Sequence, residues 1–131
     1  MISKILKGVK VLDLTRLLPG PYCTWILSRL GADVIKIEAP NDDDYSRFTP
    51  LFNLINFKKK SITLNLKKEI GKKIFLDLVS ESDIVVEGFR PGVMNKLGLG
   101  YDELRRYNDS VILCSISGYG QDGPYKDLPG H

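Results

Sequence analysis

The sequence predicts an α/β domain with a Rossmann-like, mostly parallel sheet and flanking helices. Four short runs rich in β-branched residues are nearly continuous in apolar character, as expected of parallel strands covered on both faces. These runs span residues 9–14, 33–37, 83–86 and 111–116. Helical segments separate them, and this alternation implies βαβ crossovers. The 131 residues, 43% of them hydrophobic, suffice for one domain, placed over residues 1–131.

The first helical segment covers residues 22–30. It places Ile26, Leu27 and Leu30 on one side and stops at Gly31, a residue type that commonly follows a helix end.

A second helix is predicted over residues 67–80, and a shorter one over residues 101–107 with two acids in its first turn. The apolar face of the longer helix consists of Ile70, Ile74, Phe75, Leu78 and Val79. Between residues 40 and 60 neither pattern holds, so we expect a long irregular segment there.

The composition argues against several classes of protein, including nucleic-acid-binding, membrane-bound, disulfide-rich and zinc-binding proteins. A net charge of +3 permits an anionic small molecule but is too mild to indicate nucleic acid or a membrane surface. Cys23 and Cys114 lie far apart in sequence without a C-x-x-C pair, which argues against a disulfide framework or a zinc site. With neither a signal-peptide pattern nor an apolar run of about 20 residues, we expect a soluble cytoplasmic protein without a metal.

Two charged runs lie in the irregular segment. Asp42, Asp43 and Asp44 are consecutive and cannot all face one ion, so we expect a solvated turn. The lysines at 58–60 form either a solvated loop or an anchor for phosphates.

A glycine-rich loop follows the fourth strand and leads to the only histidine, His131. Gly118, Gly120 and Gly123 match the G-x-G-x-x-G pattern of dinucleotide sites, which requires a helix to begin inside the motif. Pro124 follows at once, so we expect no helix and no nicotinamide or flavin site.

The turn after the third run carries Arg90, between Phe89 and the Pro91-Gly92 pair. Ligands of open α/β sheets bind beyond the carboxyl ends of the strands, so this turn and the His131 loop should line one crevice. Arg90 either faces that crevice as a donor to phosphate or carboxylate, or lies in water at an ordinary turn.

Several motifs together resemble the N-terminal region of the family III CoA-transferases (CaiB/BaiF), and they occur in order over essentially the whole chain. They are the sequences at residues 17–22, 31–38, 60–67, 86–94, 97–101 and 117–124. The family includes formyl-CoA and carnitine CoA-transferases and the α-methylacyl-CoA racemases. Gly130-His131 resembles the Gly-His-Asp of the racemases, and Glu87-Gly88 departs from the Glu-Asn of many transferases, so the resemblance is closest to the racemase branch.

The resemblance implies where coenzyme A would bind. The CoA-binding residues are expected to be Leu64, Asn65, Leu66, Lys67, Gly88, Phe89, Arg90, Lys96 and Gly130. Lys96 stands where an arginine is common and keeps the charge without the bidentate geometry. An arginine that contacts adenine or phosphate in racemases is replaced by Ala39, so Lys36 or the lysine run would have to substitute for it.

The resemblance also implies the chemistry. In racemases His131 would be the proton acceptor at the α-carbon of a 2-methylacyl-CoA, paired with an aspartate beyond residue 131. Backbone amides of a glycine-rich loop would stabilise the enolate oxygen. Transferases instead use a downstream aspartate as nucleophile. Coenzyme A would enter as part of the substrate, with no covalently bound cofactor.

Three functions therefore remain open at the level of sequence. The first is the N-terminal part of a racemase-like enzyme, inactive alone without the downstream aspartate. The second is the same part of a CoA-transferase, and the third is a non-catalytic module that binds CoA or a nucleotide. For the enzymes we expect an interlaced homodimer as the complete form, with no nucleic acid or membrane partner.

Overall fold

The computed structural model describes residues 4–41 and 44–130. His131 and the first two residues of the acidic run, Asp42 and Asp43, lie outside the described residues.

Five strands form one parallel sheet in the order β3-β2-β1-β4-β5. The strands are β1 (Lys10–Leu14), β2 (Asp33–Glu38), β3 (Lys60–Thr63), β4 (Ile84–Glu87) and β5 (Ile112–Ser115). The predicted fold class is confirmed. Strand β3 was not predicted from the sequence, because it is a mostly exposed edge strand without a continuous apolar run.

The helices are α1 (Pro19–Arg29), α2 (Pro50–Ile55), α3 (Glu69–Ser80), α4 (Val93–Lys96) and α5 (Tyr101–Tyr107), with a 3-10 helix at Tyr45–Phe48. The expectation of an irregular segment over residues 40–60 was therefore wrong. Two short helices occupy part of it, and each begins at a side-chain cap, Asp44 and Thr49 respectively.

The buried faces of the two longer helices match the prediction only in part: Phe75, Leu78 and Val79 of α3 and Leu27 of α1 pack on the core as expected. In α3 the side chains of Phe75, Leu76 and Val79 enter the main core, whereas Ile70 is 67% exposed and Ile74 is 37% exposed. In α1 the buried residues are Gly20, Pro21 and Thr24, and Ile26 is exposed. Thr24 points inward because its hydroxyl donates to the carboxylate of Asp13 on β1 (2.6 Å).

Two predictions about helix ends are confirmed. Gly31 follows α1 with a φ of 108°, a left-handed conformation that suits glycine. Asp102 and Glu103 lie in the first turn of α5. No helix of the described chain is long and apolar enough to cross a membrane.

Candidate functional site

The strand order changes direction between β1 and β4. The chain runs outward from β1 to β3, then returns to place β4 on the other side of β1. In doubly wound sheets, ligands bind at such a switch point, beyond the carboxyl ends of the strands. Here that edge is formed by Thr15–Leu17 after β1, Leu64–Lys67 after β3, Gly88–Arg90 after β4 and the glycine-rich loop after β5.

A cleft of about 200 Å³ opens between the turn after β4 and the loop after β5. Glu87 and Arg90 line one side of it, and Ser115 and Gln121 line the other. The prediction that these two loops share a crevice is confirmed for the described residues. Arg90 combines the two alternatives left open by the sequence, since it lines the cleft and is also exposed to solvent.

Glu87 is a buried carboxylate at the carboxyl end of β4. Its side chain accepts a hydrogen bond from the backbone N–H of Phe89 (2.7 Å), which fixes the start of the turn. Gly92 completes the turn with a φ of 81°, and α4 begins directly after it. This rigid turn carries Arg90 at the mouth of the cleft.

Three exposed cations lie on the segments that follow β3 and β4. Within the described part of the chain, the side chains of Lys67, Arg90 and Lys96 make no ion pair within 4.0 Å, and all three residues are exposed. Unpaired arginine and lysine are suited to bind phosphate, arginine through a planar fork and lysine as a point charge.

The segment after β3 is held close to the sheet and to α3. The N–H of Leu64 donates to the carbonyl of Glu38 on β2 (2.9 Å), and the Leu64 side chain is buried in the core. A Cβ atom on Gly71 of α3 would lie 2.2 Å from the carbonyl oxygen of Asn65, so glycine permits this close approach. Leu64 can therefore offer only its backbone to a ligand, whereas Lys67 offers its side chain.

The predicted CoA-binding residues thus fall into two groups on one edge. Leu64–Lys67 follow β3, while Gly88–Arg90 follow β4, three strands away, which corresponds to about 14 Å at the usual strand spacing. Lys96 ends α4, beyond the second group. An extended ligand with several charged groups can contact both groups at once.

The glycine-rich loop closes on itself. Gly118 and Gly130 are in backbone contact, because a Cβ on Gly118 would lie 2.6 Å from the Cα of Gly130. No helix begins anywhere in residues 117–130, as predicted from Pro124. Gly130 is thereby placed near the end of β5, and the predicted catalytic residue, His131, lies outside the described residues.

The charged runs were wrongly interpreted in part. The Lys59 side chain is only 1% exposed, and its ammonium pairs with Asp13 (Nζ to Oδ2, 3.0 Å), so it neither lies in solvent nor anchors a phosphate. Lys60 belongs to β3 and pairs with Asp33 at the amino edge of the sheet, 2.8 Å away. Asp44 is buried rather than solvated, and it caps the 3-10 helix by accepting from the N–H of Ser46 (3.0 Å).

Two of the cations expected to replace the missing arginine at Ala39, Lys36 and Lys59, are also unavailable to a ligand. Lys36 is buried and donates to the carbonyl of Thr15 (2.7 Å), and Lys59 is enclosed as described. The cation actually present near Ala39 is Arg47, which pairs with Glu38 and remains 41% exposed. Sequence reasoning missed Arg47 because the fold of residues 44–55 was not predicted.

Burial and charge compete in the pKa values of the two buried aspartates. Burial alone would raise the pKa of Asp13, but Lys36, Lys59 and hydrogen bonds from Thr15 and Thr24 outweigh it and hold the pKa below its usual value. Burial would also raise the pKa of Asp44. Hydrogen bonds from Ser46 and Leu17 outweigh this effect, so the pKa is lowered. Both groups are therefore carboxylates at neutral pH.

A sequence profile of CoA-transferase family III matches residues 6–131. The chain belongs to CoA-transferase family III. The family resemblance seen in the motifs is thereby confirmed.

Curated relatives of this family III chain are named as CoA-transferases. It is 45% identical to the acetyl-CoA:oxalate CoA-transferase of Acetobacter aceti, over 95% of this chain and 34% of that protein. It is 41% identical to human succinyl-CoA:glutarate CoA-transferase, over 98% of this chain and 31% of that protein. The chain thus spans about a third of the length of these relatives.

Solved structures agree with the fold. A CAIB/BAIF family protein from Brucella suis matches all of this chain and 38% of its own, with a TM-score of 0.91 and 38% identity. Rv3272 of Mycobacterium tuberculosis matches 99% of this chain and 38% of its own, with a TM-score of 0.85 and 40% identity.

Within the described residues, no group of three or more His, Cys, Asp or Glu side chains could hold a metal ion.

Proposed function

We propose that this chain is the coenzyme A-binding part of a CoA-transferase, which moves CoA from an acyl-CoA thioester to a free carboxylate. The observation that carries the proposal is the cleft between the turn after β4 and the loop after β5, one strand from the switch point, which Arg90 lines. The names of the curated relatives, which transfer CoA between carboxylic acids, support the same reaction class.

The chain's own residues would bind and orient the thioester. Arg90 and Lys96 would contact phosphates at the mouth of the cleft, and Lys67 would contact the ligand near β3, about 14 Å along the edge. The backbone amides of the glycine-rich loop would face the thioester carbonyl, where an oxyanion develops. The loop would thereby stabilise charge while the cations hold the nucleotide end.

The reaction balances without an oxidant or metal. An acyl-CoA and a free carboxylate exchange the CoA thiol, so one thioester and one carboxylate are consumed and one of each is formed. By family resemblance, a downstream aspartate would attack the thioester carbonyl, so that its C–S bond breaks, CoA thiolate leaves and an acyl–aspartyl anhydride forms. The thiolate would then attack the aspartyl carbonyl, release the first carboxylate and leave an enzyme–CoA thioester. The acceptor carboxylate would form a second anhydride in the same way, and CoA thiolate would attack its acyl carbonyl, which yields the new acyl-CoA and restores the aspartate. By the same resemblance that aspartate would lie beyond residue 131, so this part of the proposal concerns the complete protein.

α-Methylacyl-CoA racemization is the second candidate, and the Gly130-His131 sequence favours it. A racemase must remove and return the α-proton, which a histidine near neutral pKa can do. The relatives' names favour transfer, so racemization ranks below it.

One incubation separates the candidates. The complete protein is mixed with a 2-methylacyl-CoA in D₂O, with and without a panel of free dicarboxylates, and the products are analysed by mass spectrometry. We expect a new acyl-CoA only when a carboxylate is present, and no deuterium at the α-carbon. Deuterium uptake without a carboxylate would indicate the racemase. Calorimetric titration of the same protein with CoA gives the remaining outcomes: CoA binding without turnover would indicate the non-catalytic module, and absence of CoA binding would refute the proposal.

A further inference from the structure

We propose that Lys59 is a positioning residue for the ligand site: its buried ammonium, paired with Asp13, holds the turn at residues 15–17 in place beside Gly88. The identity of the ligand, coenzyme A, rests on the function proposed above. The positioning of the turn by Lys59 is independent of that function.

Lys59 lies just before β3, and its side chain reaches inward into a largely buried polar cluster. Its Nζ lies within hydrogen-bond distance of the Asp13 carboxylate (3.0 Å), the Thr24 hydroxyl (2.7 Å) and the Pro21 carbonyl (2.9 Å). The side-chain oxygen of Asn56 is a fourth acceptor (3.0 Å). One cation therefore joins β1, the first turns of α1 and the end of α2.

Asp13 transmits this anchoring to the turn. Its Oδ1 accepts from the backbone N–H of Thr15 (2.9 Å) and from the Thr15 hydroxyl, while its Oδ2 accepts from Lys59 and Thr24. Removing the cation would leave a buried carboxylate without its closest counter-charge, and that carboxylate holds Thr15 directly.

Two further buried charges fix the same turn from β2 and the 3-10 helix. The Nζ of Lys36 donates to the carbonyl of Thr15 (2.7 Å), and a carboxylate oxygen of Asp44 accepts from the N–H of Leu17 (3.2 Å). Leu17 has a φ of 64°, a left-handed conformation that a leucine keeps only where its surroundings determine it. The contacts around the turn therefore impose its conformation, which the backbone of a leucine does not favour by itself.

The turn adjoins the candidate ligand site. Strands β1 and β4 pair up to Leu14 and Glu87, so the next residues, Thr15 and Gly88, leave the sheet side by side. Thr15 is the nearest neighbour of the position that a Cβ on Gly88 would occupy, with Cγ2 3.7 Å from it. On the other side, Gly20 of α1 approaches Thr15 so closely that a Cβ would lie 2.2 Å from the Thr15 Cβ. A displacement of Thr15 would therefore press on the start of α1 or change the packing beside the backbone that precedes Arg90.

The test uses the complete protein with Lys59→Met and the double variant Asp13→Asn/Lys59→Met. Methionine has similar length but cannot donate, and the double variant removes both charges, so it avoids an unpaired carboxylate if the single variant does not fold. Val79→Ala is the matched control, because it removes fully buried volume from α3 without touching the cluster. Each protein is measured for CoA affinity, melting temperature and amide hydrogen exchange.

We expect CoA affinity to fall about tenfold or more in the Lys59 variants, with faster exchange at residues 15–17 and unchanged exchange in the core of α3. Val79→Ala should lower the melting temperature and leave CoA affinity unchanged. A lower melting temperature with wild-type CoA affinity and wild-type exchange at residues 15–17 would show that Lys59 only stabilises the fold. If the unmodified protein does not bind CoA, the proposed function fails, and the exchange at residues 15–17 alone decides the role of Lys59.

Discussion

Gly118 and Gly130 touch through their backbones, with the Cα of Gly130 only 2.6 Å from the position of a Cβ on Gly118. This contact closes the loop that begins after β5. It brings the chain back to the carboxyl edge of the sheet just before His131. A methyl group at either glycine would meet backbone rather than a flexible side chain, so the contact cannot adjust without moving the loop.

Gly118→Ala should therefore open the loop. We expect CoA affinity to fall while the melting temperature changes by no more than about 2 °C, because the loop is exposed and buries little apolar area. Calorimetric titration and thermal unfolding measure the two effects. Gly120→Asn is the control, since nothing lies near its Cβ position and asparagine tolerates its left-handed φ of 87°. Equal effects of both variants would contradict the role of the contact.

Arg90→Ala should weaken CoA binding by about ten- to a hundredfold, the range expected when a charge-assisted hydrogen bond is lost. Arg90→Lys should recover part of it, because the charge remains but the planar fork does not. Lys10→Ala is the matched control. It removes one positive charge at the amino edge of the sheet and should leave CoA affinity unchanged. A similar loss in the control would mean that only general charge attraction is at work.

Acid should unfold the protein by protonating Asp13 and Asp44. Both have a pKa lowered by folding, so their stabilisation is present above the unfolded pKa and is lost as the pH falls below about 4, through the folded values. Denaturant titrations between pH 7 and pH 2 measure this loss. Asp13→Asn should flatten the acid limb and cost about 3–5 kcal/mol at neutral pH, because it leaves Lys59 without its counter-charge. The exposed Asp77→Asn should do neither, and an unchanged acid limb in Asp13→Asn would contradict the account.

The orientation of α3 can be tested by a pair of substitutions. Phe75→Ala should lower the free energy of unfolding by about 3–5 kcal/mol, because the ring is fully buried. Ile70→Ser should change it by less than about 0.5 kcal/mol, since Ile70 is mostly exposed. Denaturant unfolding of both variants gives the comparison. A large loss of unfolding free energy in Ile70→Ser would contradict this orientation and would favour a buried Ile70, as the sequence predicted.

The fold class could be predicted because the central strands β1, β2 and β4 are buried on both faces and read as continuous apolar runs. The edge strand β3 could not be predicted from the sequence, since its residues Lys60 and Ser61 face solvent. The face of α3 was predicted correctly at Phe75, Leu78 and Val79 and wrongly at Ile70 and Ile74, because periodicity alone did not show that Leu76 rather than these two isoleucines enters the core.

The sequence predicted which loops form the candidate site, but it did not predict the buried residues that hold them in place. The turn with Arg90 and the glycine-rich loop follow predicted strands, so their meeting at one edge followed from topology. In contrast, nothing in three consecutive lysines shows that Lys59 turns inward toward Asp13, which precedes it by 46 positions. Long-range pairing of this kind depends on the folded arrangement of α1 and α2.

The central claim is that coenzyme A binds along the carboxyl edge of the sheet. Hydrogen–deuterium exchange of the complete protein, with and without saturating CoA, tests it most directly. We predict slower exchange at residues 64–67, 88–96 and 117–130, and no change at the amino edge around Lys10, Asp33 and Glu81. Protection at the amino edge, or an unchanged carboxyl edge in the presence of bound CoA, would contradict the account.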